Sequence, residues 1–356
     1  MALKDRLVTL IRSRIGKRTI WVFAASGASA IGAFLLILAF RGLDWGGVQT
    51  AFAQAKPMYF VFALVLVLIA YYLRGARWRL LFREHKVNTT RLVLVENTAI
   101  GVNSLTPIPI LDEPVRVGLM MLQGVPPGTV LATMATMRTF ELAVQASIGL
   151  IGLIFLDQLE SLKPLFLAAT AVSLAALVAL FTIGPLMRRI PAIGRLKLAQ
   201  DFSMGVDVMR KEPIFPFLSF LMTGVYAITI GLSGWMLGLA FELDMSILAL
   251  IIVSLAVIFF TDWIPALPLA LGSFEFVALY LLGLWDVNNS VGMGFAIILH
   301  AIFFIPPILV AVTYLPFAGV RSINEVISLL NGNKKSSGAV DSRRDKPVEV
   351  SVTDQS

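Results

Sequence analysis

The sequence predicts an all-α polytopic membrane protein, on three observations of composition and hydropathy. Hydrophobic residues make up 58% of the 356-residue chain and charged residues only 14%, against ~45–50% and ~25% in soluble globular domains. Mean hydropathy is +0.85, and long apolar stretches recur along the chain. So little polar surface cannot coat a water-soluble particle, whereas helices satisfy their own backbone polar groups in lipid. An ordinary soluble fold is therefore excluded.

Six apolar stretches are long enough, or nearly so, to cross a membrane. A helix rises ~1.5 Å per residue, so ~20 residues span a hydrocarbon core of ~30 Å. The predicted spans are 19–41, 58–73, 127–156, 165–186, 214–241 and 294–318. The first is interpreted as a retained anchor, because it exceeds the ~7–15 apolar residues of a signal peptide and lacks a clear cleavage site.

The Lys and Arg residues predict which connections face the cytoplasm, because cytoplasmic loops retain these residues. Four segments contain six each, and together 24 of the 29: 1–18, 74–91, 187–213 and the tail from residue 319. They are predicted inside, together with both termini. The basic-poor connections 42–57, 157–164 and 242–246 are predicted outside. This distribution accounts for the net charge of +7 through anionic lipid, and nucleic-acid binding is not predicted.

The predicted sidedness leaves two segments that must enter and leave the membrane on one face. Residues 92–123 are too few for two spans of ~20 residues, and Thr106-Pro107-Ile108-Pro109 stops a helix, so a re-entrant hairpin is predicted. The second hairpin, 247–285, breaks at Ile264-Pro265-Ala266-Leu267-Pro268. Its first arm is nearly long enough to cross, so two full spans, and eight or more transmembrane helices in all, are the alternative.

The two halves of the chain follow one plan with opposite orientation. Each half has two spans, a proline-broken hairpin and a further span, over residues 19–156 and 165–318. Inverted repeats whose broken helices meet near the midplane are typical of transporters. Outside the repeats, residues 1–18 are a basic cytosolic segment, and the polar residues 331–356 are predicted to form a disordered cytosolic tail.

Ionisable residues inside apolar segments are energetically costly and are candidates for function. They fall in the two hairpins and in the span that follows the first hairpin. These candidates are Glu96, Asp112, Glu113, Arg116, Arg138, Glu141, Asp262 and Glu275.

Two arginine–acid pairs have helical spacing. Glu113 and Arg116 are three residues apart, as are Arg138 and Glu141, so each pair shares a helix face. One interpretation is that the pairs neutralise themselves and hold helices together. The other is an arginine-lined anion site, because guanidinium presents a planar donor fork that suits phosphate. The spacing alone favours neither.

Glu275 follows Gly272 at the predicted start of a half-helix. The helix dipole favours a carboxylate in a first turn, and this would suffice at a water surface. At membrane depth a carboxylate that faces a polar cavity is the favoured interpretation. Glu113 occupies a comparable position after the first break and is interpreted in the same way.

Arg74, Arg77 and Arg79 surround Trp78 at the inner end of the second predicted span. This pattern indicates a topology anchor with an interfacial tryptophan, and capture of anionic headgroups is the alternative. In the last span, His300 is interpreted as a hydrogen-bonded interior histidine rather than a ligand.

Metal and cofactor sites are not predicted. Zero cysteines exclude a disulfide framework, a thiolate metal site and a cysteine nucleophile, and two histidines leave little room for a histidine-rich metal site. The sequence also contains no Gly-x4-Gly-Lys-Ser/Thr loop and no His-Glu-x-x-His motif.

Five short motifs together resemble the lysylphosphatidylglycerol synthase transmembrane-region family of flippase-like proteins, over most of residues 15–325. Each motif is degenerate, and their order and spacing carry the resemblance. The motifs are Arg74-Gly75-Ala76-Arg77-Trp78-Arg79, Asn103-Ser104-Leu105-Thr106-Pro107, Glu113-Pro114-Val115-Arg116, Arg138-Thr139-Phe140-Glu141 and the stretch from Pro265 to Glu275. The chain departs from the family at Ile110-Leu111-Asp112 and Leu269-Ala270-Leu271, where glycines are common.

The resemblance implies a lipid flippase or lipid transporter-like protein of a bacterial or archaeal cytoplasmic membrane. Its substrate would be an anionic phospholipid or a polyprenyl-phosphate-linked headgroup. Large members carry a soluble aminoacyl-transfer domain, which this sequence has no long polar stretch to form, so aminoacyl transfer is not carried over. The predicted substrate-binding residues are Asn103, Glu113, Arg116, Arg138, Glu141, Asp262 and Glu275.

Two other functions are compatible with the sequence. One is an integral-membrane enzyme that acts on a lipid-linked headgroup, with Glu113 and Glu275 as acid and base. The other is a non-transporting subunit of an envelope synthesis complex, which would have a protein partner. The sequence predicts neither the identity of the lipid nor the oligomeric state.

Overall fold

The computed structural model describes residues 14–105, 111–189, 196–264 and 267–318. Several predicted segments lie outside the described residues. These are most of the basic N-terminal segment, the first proline break at 106–109, Pro265 and Ala266 of the second break, and the tail 331–356.

Within the described ranges, every regular element is a helix. Two short 3-10 turns, Asp157–Leu162 and Pro268–Ala270, accompany the α-helices. The α-helices are α1 Arg14–Phe40, α2 Trp45–Gln54, α3 Pro57–Arg79, α4 Thr89–Ser104, α5 Asp112–Met121, α6 Pro127–Phe155, α7 Lys163–Arg189, α8 Lys197–Lys211, α9 Ile214–Ala240, α10 Ile247–Trp263, α11 Ser273–Gly283 and α12 Asn289–Phe317.

Among the described residues, five stretches are long and apolar enough to cross a membrane, and they correspond to predicted spans. They are Pro57–Arg79, Pro127–Phe155, Asp157–Leu180, Ile214–Ala240 and Asn289–Phe317. A sixth span arises if α1 and α2, which meet at an angle of 77°, are counted as one broken span. The prediction of an all-α polytopic membrane protein is confirmed.

The outer faces of these helices carry large apolar side chains that no part of the described chain covers. Val61, Ile154, Val178 and Leu309 are each at least 60% exposed. Contiguous apolar surface of this kind is rare on soluble monomers, because water solvates it poorly. Lipid is therefore the medium that these faces fit.

The order of helix lengths in the first half is repeated in the second. Helices α1 and α7 both have 27 residues, and α6 and α12 both have 29. Between them, α4 and α5 have 16 and 10 residues, and α10 and α11 have 17 and 11. At ~1.5 Å per residue, none of these four is long enough to cross ~30 Å by itself.

Helix packing also has counterparts in the two halves. Helix α3 packs on α4 as α9 packs on α10, and α3 packs on α9 itself. Helix α4 packs on α12 as α10 packs on α6, so each hairpin helix contacts the last helix of the other half. The two outer helices differ, because α1 packs on α11 whereas α7 packs on α6.

Small residues permit the closest helix crossings. A Cβ on Gly101 of α4 would meet the carbonyl of Pro307 on α12, and one on Gly234 of α9 would meet Ser254 on α10. The Gly234-Trp235-Met236-Leu237-Gly238 stretch is therefore a close-packing segment. Packing of this kind is the main source of helix association in lipid.

Prolines inside α12 free a backbone carbonyl that a side chain then satisfies. Pro307 has no N–H, so the carbonyl of Phe303, four residues before it, has no helical donor. The hydroxyl of Tyr71 on α3 donates a hydrogen bond to that carbonyl. Tyr71 and Phe303 both line the cavity described next.

Candidate functional site

A cavity lies between the two halves, with both pairs of short helices in its wall. One side is polar and carries Arg74, Asn103, Asp112 and Arg138. The apolar part of the lining includes Ile230, Ile258, Phe274 and Phe304. The cavity volume is about 110 Å³, smaller than the ~300–1,000 Å³ of drug-sized ligand sites.

The charged side of the cavity is assembled from four helices. Helix α3 continues past its apolar run to Arg79, so Arg74 and Arg77 lie on its last turns rather than in a loop. Helix α4 contributes Glu96, and the first turns of α5 contribute Asp112 and Arg116. Helix α6 contributes Arg138 and Glu141 one turn apart.

These side chains form a closed ring in which positive and negative groups alternate. The charge ring consists of Arg74, Glu96, Arg116, Asp112, Arg138 and Glu141. Each member contacts the next within 4 Å, and the last contacts the first.

The ion pairs around the ring differ in length. Asp112 Oδ2 lies 2.7 Å from Arg116 Nη1 and 2.8 Å from Arg138 Nη2. Glu96 Oε2 lies 3.2 Å from both Arg116 Nε and Arg74 Nε. The ring closes through Glu141, whose oxygens lie 3.4 Å from Arg138 Nη1 and 3.6 Å from Arg74 Nη2.

Arg77 is a branch on this ring and is fully buried. It forms an ion pair with Glu141 and donates a 3.0 Å hydrogen bond to Thr223 Oγ1 on α9. Its guanidinium lies 4.7 Å from the centre of the Tyr226 ring, which suits a cation. Helix α9, in the second half of the chain, thus holds part of the cluster.

Burial is graded across the charge ring. The side chains of Glu96 and Arg116 are at most 2% exposed, whereas that of Arg138 is 40% exposed. Buried charges are tolerated only when they are paired and hydrogen-bonded. The ring therefore has a paired interior and one accessible cation at the cavity. Within the described residues, Arg116 Nη2 and Glu96 Oε1 are buried without a hydrogen-bond partner.

A second groove, apart from the cavity, lies between α6 and α8. Leu131, Met134 and Phe202 give it an apolar lining, and Glu113 and Arg138 lie at its polar end. Arg138 therefore borders both spaces.

A buried acid–histidine pair lies behind the apolar side of the cavity. His300 Nδ1 on α12 is 2.6 Å from Glu275 Oε1 on α11, and His300 Nε2 is 2.6 Å from the carbonyl oxygen of Leu269. Glu275 Oε2 also accepts a 2.8 Å hydrogen bond from the N–H of Gly272. Glu275 thus caps the first turn of α11, and its side chain meets His300 rather than the polar cavity that the favoured interpretation expected. His300 is hydrogen-bonded in the interior, as predicted.

The structure brings five of the predicted residues around the charge ring. Arg116, Arg138 and Glu141 belong to the ring, and Arg74 and Arg77, predicted as inner-edge arginines, join it directly. The predicted contact of Arg138 with Glu141 is present.

The other predicted residues lie elsewhere. Asn103 Oδ1 accepts a 3.0 Å hydrogen bond from Leu111 N, which ties the ends of α4 and α5 together beside the cavity. Arg79 donates locally to the Phe82 carbonyl. The Asp262 side chain lies outside the described residues.

Glu113 is exposed, and Arg116 pairs with Asp112 and Glu96 rather than with it. Glu275 is buried beside His300, so the described structure assembles no Glu113–Glu275 acid–base pair in the cavity.

Three participants lay outside the predicted binding set. Asp112 and Glu96 are buried acids in the first hairpin, and Asp112 has the same-face i,i+4 spacing to Arg116 that would have selected it. Tyr226 carries no charge, and no feature of the sequence connects it to the arginines.

Comparison with known proteins gives one family. The family model described as "Lysylphosphatidylglycerol synthase TM region" matches residues 25–311, a range that contains the whole charge ring and the acid–histidine pair. No curated protein matches the chain significantly.

Proposed function

Because the chain belongs to the lysylphosphatidylglycerol synthase transmembrane-region family, we propose that it moves a lipid with an anionic headgroup between membrane leaflets. It is a multi-pass membrane protein of a family connected with lipid handling. The substrate would be an anionic phospholipid or a polyprenyl-phosphate-linked lipid. Its chains would stay in the bilayer, so only the headgroup needs a protein path.

The charge ring is the observation that carries this proposal. With Arg77, it combines four guanidinium groups with three carboxylates, which leaves one formal positive charge. Arg138, the exposed cation of the ring, faces the cavity. A guanidinium is suited to phosphate, because it can donate two parallel hydrogen bonds to it.

The acidic members of the ring would hold the arginines in position and limit affinity. Asp112 and Glu141 each contact Arg138, so a phosphate at Arg138 would compete with them. Transport requires a site that binds well enough to admit the substrate and weakly enough to release it. A cation already paired with carboxylates binds phosphate more weakly than a free one, which favours release of the substrate.

The repeated helix order and packing support a transport mechanism of alternating exposure. Helices α4–α5 and α10–α11 are the corresponding broken pairs of the two halves, and both pairs border the cavity. Inverted repeats with broken helices at the site move by rocking one repeat against the other. In this proposal both termini face the cytoplasm, as the Lys and Arg distribution predicts.

The proposal is tested by comparing the rate of lipid scrambling by wild-type protein with the rate by the Arg138→Gln variant. Purified protein is reconstituted in vesicles that contain fluorescent phosphatidylglycerol, and dithionite quenching reports how fast the labelled lipid changes leaflet. We expect Arg138→Gln to slow this exchange by at least about tenfold, since a charged hydrogen bond contributes roughly 1.5–3 kcal/mol.

Arg83→Gln is the matched control. Arg83 is a surface arginine that pairs with Glu212 outside the cavity, so its replacement should leave exchange unchanged. Equal exchange by wild-type protein and Arg138→Gln, with both variants folded, would exclude the charge ring as the headgroup site.

A further inference from the structure

We infer that Glu275 and His300 form a proton-binding site whose occupancy sets the shape of the cavity wall. In the transport cycle this site would couple lipid movement to protons, and that coupling step rests on the function proposed above. The pair lies on the second half of the chain, and among the described residues its hydrogen bonds go to Gly272 and Leu269 rather than to the charge ring.

The hydrogen bonds of His300 define how many protons the pair holds. The carbonyl oxygen of Leu269 can only accept, so Nε2 at 2.6 Å carries a proton and donates it. Nδ1 and Glu275 Oε1, also 2.6 Å apart, need one further proton between them. With one proton fewer, one of these two hydrogen bonds would be lost, because two acceptor atoms would face each other there. The described geometry is the one that a proton-loaded pair would adopt.

Aromatic rings surround the Glu275–His300 pair and suit a site whose charge changes when a proton binds or leaves. Phe274 stacks on the His300 ring and Phe304 contacts its edge, both with centroids 4.5 Å away. The helices packed against α11 and α12 carry few other charges among the described residues. Helix α1 presents Gly32 and Leu36 at Gly272.

The charged groups on the remaining neighbours belong mainly to the ring. Helices α3 and α4 carry Arg74, Arg77 and Glu96, which are paired there. Arg79 and Arg91 lie at the helix ends, and Asp262 on α10 has its side chain outside the described residues. Among the described residues, Glu275 is the charged group in contact with His300.

Loss of one proton would release a strained segment, because the carboxylate of Glu275 holds the remaining ring proton on Nδ1, and Nε2 then has no proton to donate to Leu269. Leu269 and Ala270 have φ values of 66° and 58°, and Gly272 has 88°. The left-handed region is unfavourable for leucine and alanine, so tertiary contacts must hold them there. The His300–Leu269 hydrogen bond is one such contact, and Ala270 and Phe274 line the cavity. Proton release would thereby move the cavity wall.

Nitrogen NMR of His300 tests proton binding without any transport assay. The chain has two histidines, so in the folded variant His85→Gln the signal of ¹⁵N-labelled His300 stands alone in lipid nanodiscs. We expect both ring nitrogens to be protonated in the loaded state, and the Nε2 proton to be the one lost as pH rises, because the carboxylate of Glu275 retains the proton on Nδ1. Glu275→Gln should change this titration, whereas Arg138→Gln should not. A titration that Glu275→Gln leaves unchanged would overturn the inference.

Coupling is tested in vesicles with an imposed pH gradient. We expect wild-type protein to accumulate fluorescent phosphatidylglycerol in one leaflet under the gradient. Glu275→Gln and His300→Gln should exchange the lipid without accumulation, and His85→Gln should behave as wild type. If Glu275→Gln and His300→Gln both still accumulated the lipid in one leaflet, coupling through this pair would be refuted, whether or not the lipid also exchanged. A wild type without any exchange would instead refute the proposed function and leave the NMR result standing.

Discussion

At the scale of single residues, one oxygen atom of Asp112 holds two arginines. Oδ2 accepts from Arg116 on its own helix and from Arg138 on α6. Asp112 is also in the first turn of α5, where the helix dipole favours a negative charge. The residue therefore contributes to the helix, to the α5–α6 contact and to the charge ring at the same time.

We predict that Asp112→Asn destabilises the protein by roughly 1.5–3 kcal/mol, the usual contribution of a hydrogen bond to a charged group. The variant keeps the shape of the side chain and removes its charge, so the buried Arg116 would retain Glu96 as its acidic partner. Thermal unfolding in detergent micelles measures the change.

The neighbouring Glu113→Gln is the control, because Glu113 is exposed and should change stability by less than about 0.5 kcal/mol. If the two variants unfolded at the same temperature, the ion pairs of Asp112 would make no measurable contribution to the stability of the protein.

At the scale of helices, the crossing of α4 and α12 joins the two halves. Gly101 lies against the backbone of Pro307, where a Cβ would meet the carbonyl and Ala311. The same region of α12 contains Pro306 and Pro307, and the Tyr71 hydroxyl donates a hydrogen bond to its Phe303 carbonyl. The contact is backbone against backbone, so it has little room to relax.

We predict that Gly101→Ala destabilises the protein by about 1–3 kcal/mol through overpacking. The matched control is Gly224→Ala in α9, where the new methyl group would meet nothing within 4 Å. That variant should be neutral or more stable by up to ~1 kcal/mol, since alanine is the better helix former. Chemical or thermal unfolding of both variants measures these changes in stability. If Gly101→Ala were as stable as the wild type, the close crossing of α4 and α12 would be contradicted.

At the scale of the whole molecule, sidedness is the property on which an inverted arrangement depends. The helix order repeats between the halves, and the Lys and Arg distribution predicts opposite orientations for them. The chain contains no cysteine, so introduced cysteines report sidedness without background.

We predict that Gln158→Cys and Asp244→Cys react with a membrane-impermeant maleimide added to intact cells. Lys86→Cys and Lys211→Cys should react only after the membrane is permeabilised. All four positions are exposed in the structure, so differences in labelling report the side of the membrane rather than burial. Labelling of residue 86 in intact cells would place the 74–91 connection outside the cell. It would thereby contradict the predicted orientation of the first half and the inverted arrangement of the two halves.

Hydropathy and charge spacing predicted much of the fold and part of the site. The spans 127–156 and 214–241 match α6 and α9 to within a residue, because apolar length is a local property. Arg74 and Arg77 were assigned to the membrane edge. The helix in fact continues through them, and α9 supplies their partners Thr223 and Tyr226. Pairing across helices has no local signature, so sequence spacing selected Glu113 where the fold uses Asp112.

The sequence by itself determined that this is a helical membrane protein, where its spans lie and which buried charges are suspect. Those conclusions depend on hydrophobic length and on the cost of charge in lipid, which act on each segment independently. Only the tertiary structure decided that six of the charges close into a ring and that Glu275 meets His300. Four helices must come together to form the charge ring, and two helices must come together to form the Glu275–His300 contact. The identity of each partner is set by helix packing rather than by distance along the chain.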